Sequence, residues 1–538
     1  MGRFILAYMV LMSVILTQTA RAAGPDRPSI IYSPLVLTGQ SVPGVEGATF
    51  KAFPYHSLLN DTDNAVFLGA FRYAWEPSGI FRSSRDGISL VTANGQHAPG
   101  MSAGAQFLSF DQNFLRVNDA GQVAFEAWLT GTGIRDTGAD DTNAGSNWLW
   151  TNGQLLKIAQ WRTLAPGTNT VFRTFGGTAL GEDGQVLFAG ELVPDSRSGI
   201  WYGKPGNIQP IVLEGQPAPG TGGLFYGTQS LLDLPTIARN GSIAFFSALA
   251  GPGAPPDPYR HDKVALFVGK PGDFRPVAML GQQAPGSNTT YSDFHGARIN
   301  SREELVLFAT LANHEYGIFA GAADNMHLVA KTTDLAPGAD GAKFNFFDRL
   351  GINDRGDVLF MGDIATGDDS TYGLWAGRPD RLKLIALQGQ PAPETGDGVF
   401  FDRPRGPVIN KDGQVAFYAL LTGPNSRGPD DYGLFATRHN GQLRLIARYG
   451  DRFQVAPGDI RTIAPLFSSS SWASDVISFN EDSDLSFPVR FTDGSEGIFL
   501  ARVLPEPSAL LLLLAACAGI LRPRRSRACP DSLLKQPR

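Results

Sequence analysis

Apolar and polar positions alternate with a period of two along most of this chain, in short runs set off by Gly, Asn, Asp and Pro. One run shows the grammar. Val123, Phe125, Ala127 and Leu129 fall on one side, and Ala124, Glu126 and Trp128 on the other, which is the side-chain geometry of a β-strand. Immediately before it stands Asn118-Asp119-Ala120-Gly121. An Asn side chain bonds backbone two residues on, and Gly takes a positive φ at a turn's exit. The stretch therefore predicts a tight turn feeding a strand.

This turn and strand recur eight times, starting at Asn60, Asn118, Gly181, Ala238, Asn300, Asn353, Asn410 and Asn480, about 60 residues apart. Each copy closes on a Phe: Phe67, Phe125, Phe188, Phe245, Phe308, Phe360, Phe417 and Phe487. The fifth copy, "NSREELVLF", has one residue more before its Phe, so its turn is expected to be looser. The position two after the Phe is often small (Gly69, Ala127, Gly190, Gly362), which predicts close approach of a neighbouring backbone. Two further signals keep step. One is "GQxAPG", at Gly95, Gly215 and Gly281, with variants at Gly39, Arg162, Thr333, Gly389 and Gly450. The other is a Gly-aliphatic-aromatic step such as Gly373-Leu374-Trp375.

Each unit thus holds about four short strands, and repeated four-stranded antiparallel units read as propeller blades. Stacking on neighbours buries both apolar faces of a blade. The last unit stops after "GIFLARV" without its final strand, while Ile30–Gln40 supplies an orphan strand at the other end. The expected fold is all-β: an eight-bladed propeller over residues 29–503, its ring closed by that N-terminal strand. Two smaller β domains are the alternative.

The copies resemble a bacterial family of surface proteins named for tandem NxxGxxAF repeats, whose members use different anchoring signals. Asn118, Gly121, Ala124 and Phe125 fit the motif in full, as do Asn410, Gly413, Ala416 and Phe417. Asn353, Gly356 and Phe360 fit it with Leu359 in place of the Ala. The resemblance implies an extracellular, surface-associated protein and no particular activity.

The termini read as export signals. Residues 1–22 have a basic start at Arg3, an apolar core from Phe4 to Leu16, and a small-x-small site at Ala20-Arg21-Ala22, the pattern of a secretory signal peptide. Residues 504–527 place Pro505-Glu506-Pro507 before an apolar run from Ser508 to Leu521, then Arg522, Arg524, Arg525 and Arg527. At 1.5 Å per residue that run spans roughly 21 Å as a helix, short for a hydrocarbon core of about 30 Å. The Arg cluster favours the cytoplasmic side. This tail resembles the PEP-CTERM sorting signal, which implies a membrane-embedded exosortase as partner and transient anchoring through the helix. Residues 528–538 follow as a cytoplasmic tail.

Composition narrows the functions. Removing residues 1–22 and 506–538 takes away eight bases and two acids and moves the formal net charge from −6 to about −12. An acidic body with no basic stripe argues against nucleic-acid binding. The two cysteines, Cys517 and Cys529, lie in or beyond the sorting segment, so the body has neither disulfide nor thiolate metal site.

No HExxH, GxSxG, phosphate loop or CxxC occurs in the body, so no catalytic residue is assigned. The loops after the Phe strand vary most and are expected at one end of the ring. Three carry adjacent acids, Asp140-Asp141, Asp368-Asp369 and Asp430-Asp431. These are the candidate binding residues, and oxygen-rich loops of this kind suit Ca²⁺, although none has EF-hand spacing. Trp75, Trp128, Trp148 and Trp161 are candidates for stacking on sugars or for blade packing. The expected function is a non-enzymatic binding or adhesion scaffold for extracellular polysaccharide or matrix protein. The alternatives are a propeller lyase or glycosidase, or a purely structural envelope protein.

Overall fold

The computed structural model describes residues 30–53, 57–72, 76, 78–84, 87–135, 142–194, 196–227, 235–251, 263–366, 369–465 and 477–503. The segments read above as a signal peptide and a sorting motif lie outside these residues. The described chain forms eight antiparallel sheets of four or five strands, one per sequence copy, and one separate two-stranded hairpin. Blades 1 to 7 span residues 57–93, 105–160, 171–213, 225–279, 291–331, 343–387 and 400–448. Blade 8 combines Ser478–Phe479, Asp484–Arg490 and Glu496–Val503 with Ile30–Leu37. Among the described residues no helix is long and apolar enough to cross a membrane.

The first strand of each blade touches the first strands of both neighbouring blades, all the way round. These strands line the axis. Because each blade is antiparallel, the Asn turns and the turns between third and fourth strands share one end, here the turn face. Loops between second and third strands share the other end, the loop face, with the GQxAPG connections to the next blade. Those connections turn at a left-handed residue in every copy: Gly39, Gly95, Arg162, Gly215, Gly281, Thr333, Gly389 and Gly450 have φ of 64–87°. The orphan strand closes the ring as expected, Ile30 pairing with Val503 and Leu37 with Gly497.

Each seam between blades holds one apolar cluster, and the repeat explains its contents. Phe125 packs on its own blade, and Ala124 turns to the next, joining Phe172 and Phe188 of blade 3. Ala416 likewise joins the seam with blade 8. Every blade also carries an aromatic edge-on to the aromatic of its third strand, which in most copies is that of the Gly-aliphatic-aromatic step. Examples are Phe107 on Trp148 at 5.1 Å, Phe172 on Trp201 at 4.8 Å and Phe344 on Trp375 at 4.9 Å. Such pairs are worth about 0.5–1.5 kcal/mol beyond the area they bury. In blade 8 this aromatic, Phe453, comes from the hairpin Arg452–Ala456 and Asp459–Thr462.

Two expectations need correction. The fifth turn is no looser than the rest: Glu303 N–H donates to Asn300 O at 3.1 Å, as Gly121 N–H does to Asn118 O at 2.9 Å. Glu303 takes the left-handed place of Gly121, at φ 59°. Leu307 then pairs with Phe319, the register Phe360 keeps with Trp375. The copy therefore holds no extra residue: Leu307 stands where the other copies have Phe, and Phe308, one further on, faces the opposite side of the blade. Nor are the small residues after the Phe set by backbone approach. A Cβ at Gly69 would come within 2.8 Å of the Phe50 and Phe81 rings, and one at Gly362 within 3.0 Å of Trp375. The crossed aromatic pair occupies that space.

Candidate functional site

The turn face is built by the repeated Asn. In each turn its carboxamide oxygen accepts from backbone four residues on, as from Gln122 N–H at 2.9 Å and Asp357 N–H at 2.9 Å. Its amide reaches the next blade. Asn60 Nδ2 donates to Asn118 O at 2.9 Å, Asn300 to Asn353 O at 2.8 Å, and Asn353 to Asn410 O at 2.9 Å. Asn410 donates to Asn480 O, and Asn480 back to Asn60 O at 3.3 Å, across the closure. Asn118 donates to Gly181 O at 2.9 Å. The relay lapses where Gly181 and Ala238 replace the Asn, having no amide to give. These buried groups are satisfied in pairs, which makes the relay a structural device.

One residue further on, side chains gather at the axial mouth. Arg239 of blade 4 meets Asp61 at 2.7 Å, Asp119 at 2.9 Å and Glu481 at 3.9 Å, from blades 1, 2 and 8. Asp119 N–H donates to Glu182 at 2.9 Å and Glu481 N–H to Asp61 at 2.9 Å. Burial raises the carboxyl pKa of both Glu182 and Glu481. Arg239 spans the mouth and neutralises part of its charge.

On the loop face the predicted acids separate. Asp140, Asp141 and Asp368 lie outside the described residues. Asp369 begins the third strand of blade 6, its backbone paired with Thr366. Asp430 is exposed. Asp431 is fully buried and takes a two-pronged ion pair from Arg448, at 3.0 and 2.6 Å. It also accepts from Arg427 N–H at 2.8 Å. As a binding candidate Asp431 is therefore corrected: it holds its loop to the outer strand. Asp430, in the turn before the third strand, is left in solvent, and Asp431 folds inward. Among the described residues no three His, Cys, Asp or Glu side chains converge as metal ligands. Trp148 is buried, Trp128 and Trp161 cross edge to face at 4.8 Å, and Trp75 lies outside the described residues.

A different site opens at the seam of blades 6 and 7. It is a cavity of about 310 Å³ lined by Phe346, Asp348, Arg349, Asp363, Tyr372, Arg403 and Arg405, among others. Three strands of blade 6 and the first strand of blade 7 build it. The Arg403 guanidinium lies over the Tyr372 ring, 4.3 Å from its centre. Phe346 is partly exposed and meets Tyr316 of blade 5 edge-on at 5.0 Å. Asp363 Oδ1 is buried and has no hydrogen-bond partner among the described residues. Both first strands bulge here, between Asp348 and Gly351 and between Arg405 and Val408. A bulge re-aims side chains. The left-handed residue of this bulge is Gly177 in blade 3 (φ 78°) and Gly406 in blade 7 (φ 54°), but Arg349 in blade 6 (φ 53°). A non-Gly residue in that conformation costs roughly 1–2 kcal/mol, and such strain gathers at functional sites.

Sequence reasoning missed these residues. A partial signal was present: a Tyr stands before the Gly-aliphatic-aromatic step at Tyr316, Tyr372 and Tyr432, in three successive blades. It marks the loop-face end of each third strand.

The ring is similar in fold to known propellers. The Dos1 propeller shares 9% identity over 87% of this chain and 95% of its own, with a TM-score of 0.42. The periplasmic gluconolactonase PpgL of Pseudomonas aeruginosa shares 15% over 74% and 99%, at 0.31. The polysaccharide lyase Uly1 shares 9% over 76% and 94%, at 0.35. None of these bears on function at such identities. No curated protein matches the chain in sequence. A model of a family of unknown function, DUF7453, matches residues 31–140 and 137–511, nearly the whole ring, and the chain belongs to that family.

Proposed function

We propose that this chain is an exported, surface-associated propeller that binds extracellular polysaccharide without transforming it. The observation that supports the reading is the cleft between blades 6 and 7. It sets an aromatic face, Tyr372, and a partly exposed ring, Phe346, beside Asp363 Oδ1, a buried polar atom with no hydrogen-bond partner among the described residues. Sugar rings present C–H faces suited to aromatics and hydroxyls suited to fixed planar polar groups. Pockets that combine apolar walls with a few placed polar groups are the usual form of a ligand site. In this reading residues 1–22 carry the body across the inner membrane. The Pro505-Glu506-Pro507 tail is then the substrate of an exosortase-type enzyme, after transient anchoring.

The test is the thermal midpoint of the purified protein against a panel of bacterial polysaccharides, each with Ca²⁺ and with chelator. A ligand that binds only the native state raises the midpoint by mass action. A rise with one class of glycan, lost in Tyr372→Ala, is the expected result. A flat response to every glycan sinks the reading and leaves a matrix protein or an envelope array as the partner. A fall on chelation alone identifies Ca²⁺ as structural.

One observation favours glycoside cleavage as a second reading: two carboxylates, Asp348 and Asp363, line the same cleft. Hydrolysis needs two carboxyl groups about 5–10 Å apart. Shortened oligosaccharides after incubation, absent with Asp363→Asn, would establish it.

A further inference from the structure

We infer that the cleft between blades 6 and 7 selects an acidic sugar, a uronic-acid unit within a chain, through Arg403 and Arg405. The inference rests on the polysaccharide reading above and names its ligand class. It begins with the state of the arginines. Other arginines of blades 6 and 7 are engaged: Arg448 by Asp431 at 2.6 Å, Arg378 by Asp357 at 3.5 Å, and Arg355 by Asp412. Arg403 and Arg405 meet no carboxylate among the described residues, although the protein carries more acids than bases. Two half-buried guanidinium groups that make no ion pair of their own, in a cleft they share with Asp348 and Asp363, can take an anion from outside.

Arg403 is also pre-oriented. Its guanidinium carbon sits over the Tyr372 ring, 4.3 Å from the centre, so one side of the group is held by the aromatic. A guanidinium held by stacking loses little freedom on pairing, and its fork fits a carboxylate with two parallel hydrogen bonds. The opposite demand comes from Asp363. Its buried Oδ1 needs a donor, and none is supplied by the described residues. Asp348, the other acid of the cleft, already accepts from Arg349 N–H at 2.7 Å.

The ligand must therefore bring an acceptor for the arginines and a donor for Asp363 within one small volume. Inorganic sulfate brings acceptors only, and hydrogen phosphate adds a single O–H but no apolar face for Phe346 and Tyr372. A neutral sugar brings hydroxyl donors but leaves two cations uncompensated. A uronate ring carries a carboxylate and hydroxyls together. The volume of about 310 Å³ is at the low end for small-ligand pockets, about 300–1,000 Å³. It suits a short stretch of a glycan and not a folded partner.

The experiment compares two probes on the unaltered full chain by titration calorimetry: oligogalacturonate, and the same oligomer with its carboxyl groups reduced to alcohols. Tighter binding of the acidic form by at least tenfold is expected. Arg403→Gln/Arg405→Gln should remove that preference while leaving the unfolding midpoint within a degree or two. Equal binding of both probes, abolished by Tyr372→Ala, overturns the inference while the polysaccharide reading stands. Tenfold preference that survives in the double variant also overturns it, because the carboxylate is then read elsewhere. Failure of both probes, with binding to a neutral glycan in the panel, overturns the inference alone; failure with every glycan overturns both.

Discussion

The turn face and the loop face are made by the same eight copies, yet they carry opposite kinds of sequence. On the turn face a single residue type recurs because its side chain completes its own turn and bonds the next blade. On the loop face the connections between second and third strands differ in length and composition from copy to copy, beside the repeated GQxAPG connections. Repetition tracks the places where one blade depends on its neighbour's atoms. Variation is concentrated where blades end in solvent, which is where a rigid scaffold leaves room for recognition. The division has exceptions, Asp431 and Arg349 among them, and they are the points at which it can be probed.

The largest effect is expected from Asp431→Ala, which strands Arg448 in a buried site. Removing one partner of such a pair costs about 3–5 kcal/mol, to be read from denaturant unfolding. Replacing both, Asp431→Leu with Arg448→Met, should cost less than the single change. A loss under about 1 kcal/mol for the single variant would mean that the loop face carries no structural load at this point.

Next comes Glu126, on the seam between blades 2 and 3. Burial raises its carboxyl pKa from 4.5 to about 7, against the hydrogen bond from Thr178 Oγ1 at 2.7 Å; Asp111 and Arg116 are its charged neighbours. A carboxyl group with a raised folded pKa is neutral at no cost below the unfolded value. Stability then falls as pH rises from about 4.5 to 7 and stays lower above that. Glu126→Gln should therefore be close to neutral at pH 4 and stabilising at pH 8 by up to about 3 kcal/mol. Unfolding midpoints across that range, parallel in the two proteins, would rule this out.

Asn353→Ala sharpens the contrast from the turn face. It removes an acceptor for Asp357 N–H and the donor to Asn410 O, both in a buried setting. The expected loss is about 1–3 kcal/mol, and the same change at an exposed loop-face residue such as Asp430 should register within about 0.5 kcal/mol. The smallest effect is a gain. Arg349→Gly relieves the left-handed strain and should raise stability by up to about 1 kcal/mol in chemical denaturation. A net loss would mean that Arg349 makes contacts worth more than its strain.

Much of the ring was legible in the sequence because its determinants are local. Turn, Phe strand and Gly-aliphatic-aromatic step sit at fixed short spacings, and the missing strand at one end matched the spare one at the other. The fifth copy misled because spacing to the next Phe is a weaker guide than register: Leu307, not Phe308, faces Phe319. The cleft was not legible. Tyr372 and Arg403 lie in different copies and share no motif, and they meet only because the blades curve around an axis. Adjacent acids drew notice instead, although at the one pair described in full Asp431 is buried and held by Arg448.

The pairing of Ile30 with Val503 also sets an order of assembly. The first described strand to be synthesised bonds to the last, so the earliest part of the ring waits for the latest. Closing so long a loop adds little to the equilibrium cost, since each doubling of length adds only about 0.6 kcal/mol. The burden is kinetic. Until Glu496–Val503 exists, Ile30–Leu37 and the growing end of the ring each present an unpaired strand edge, the kind of surface through which chains join one another. A chain that finishes slowly therefore carries an open clasp for most of its synthesis, and a second copy caught at that stage offers the same strand to the same edge.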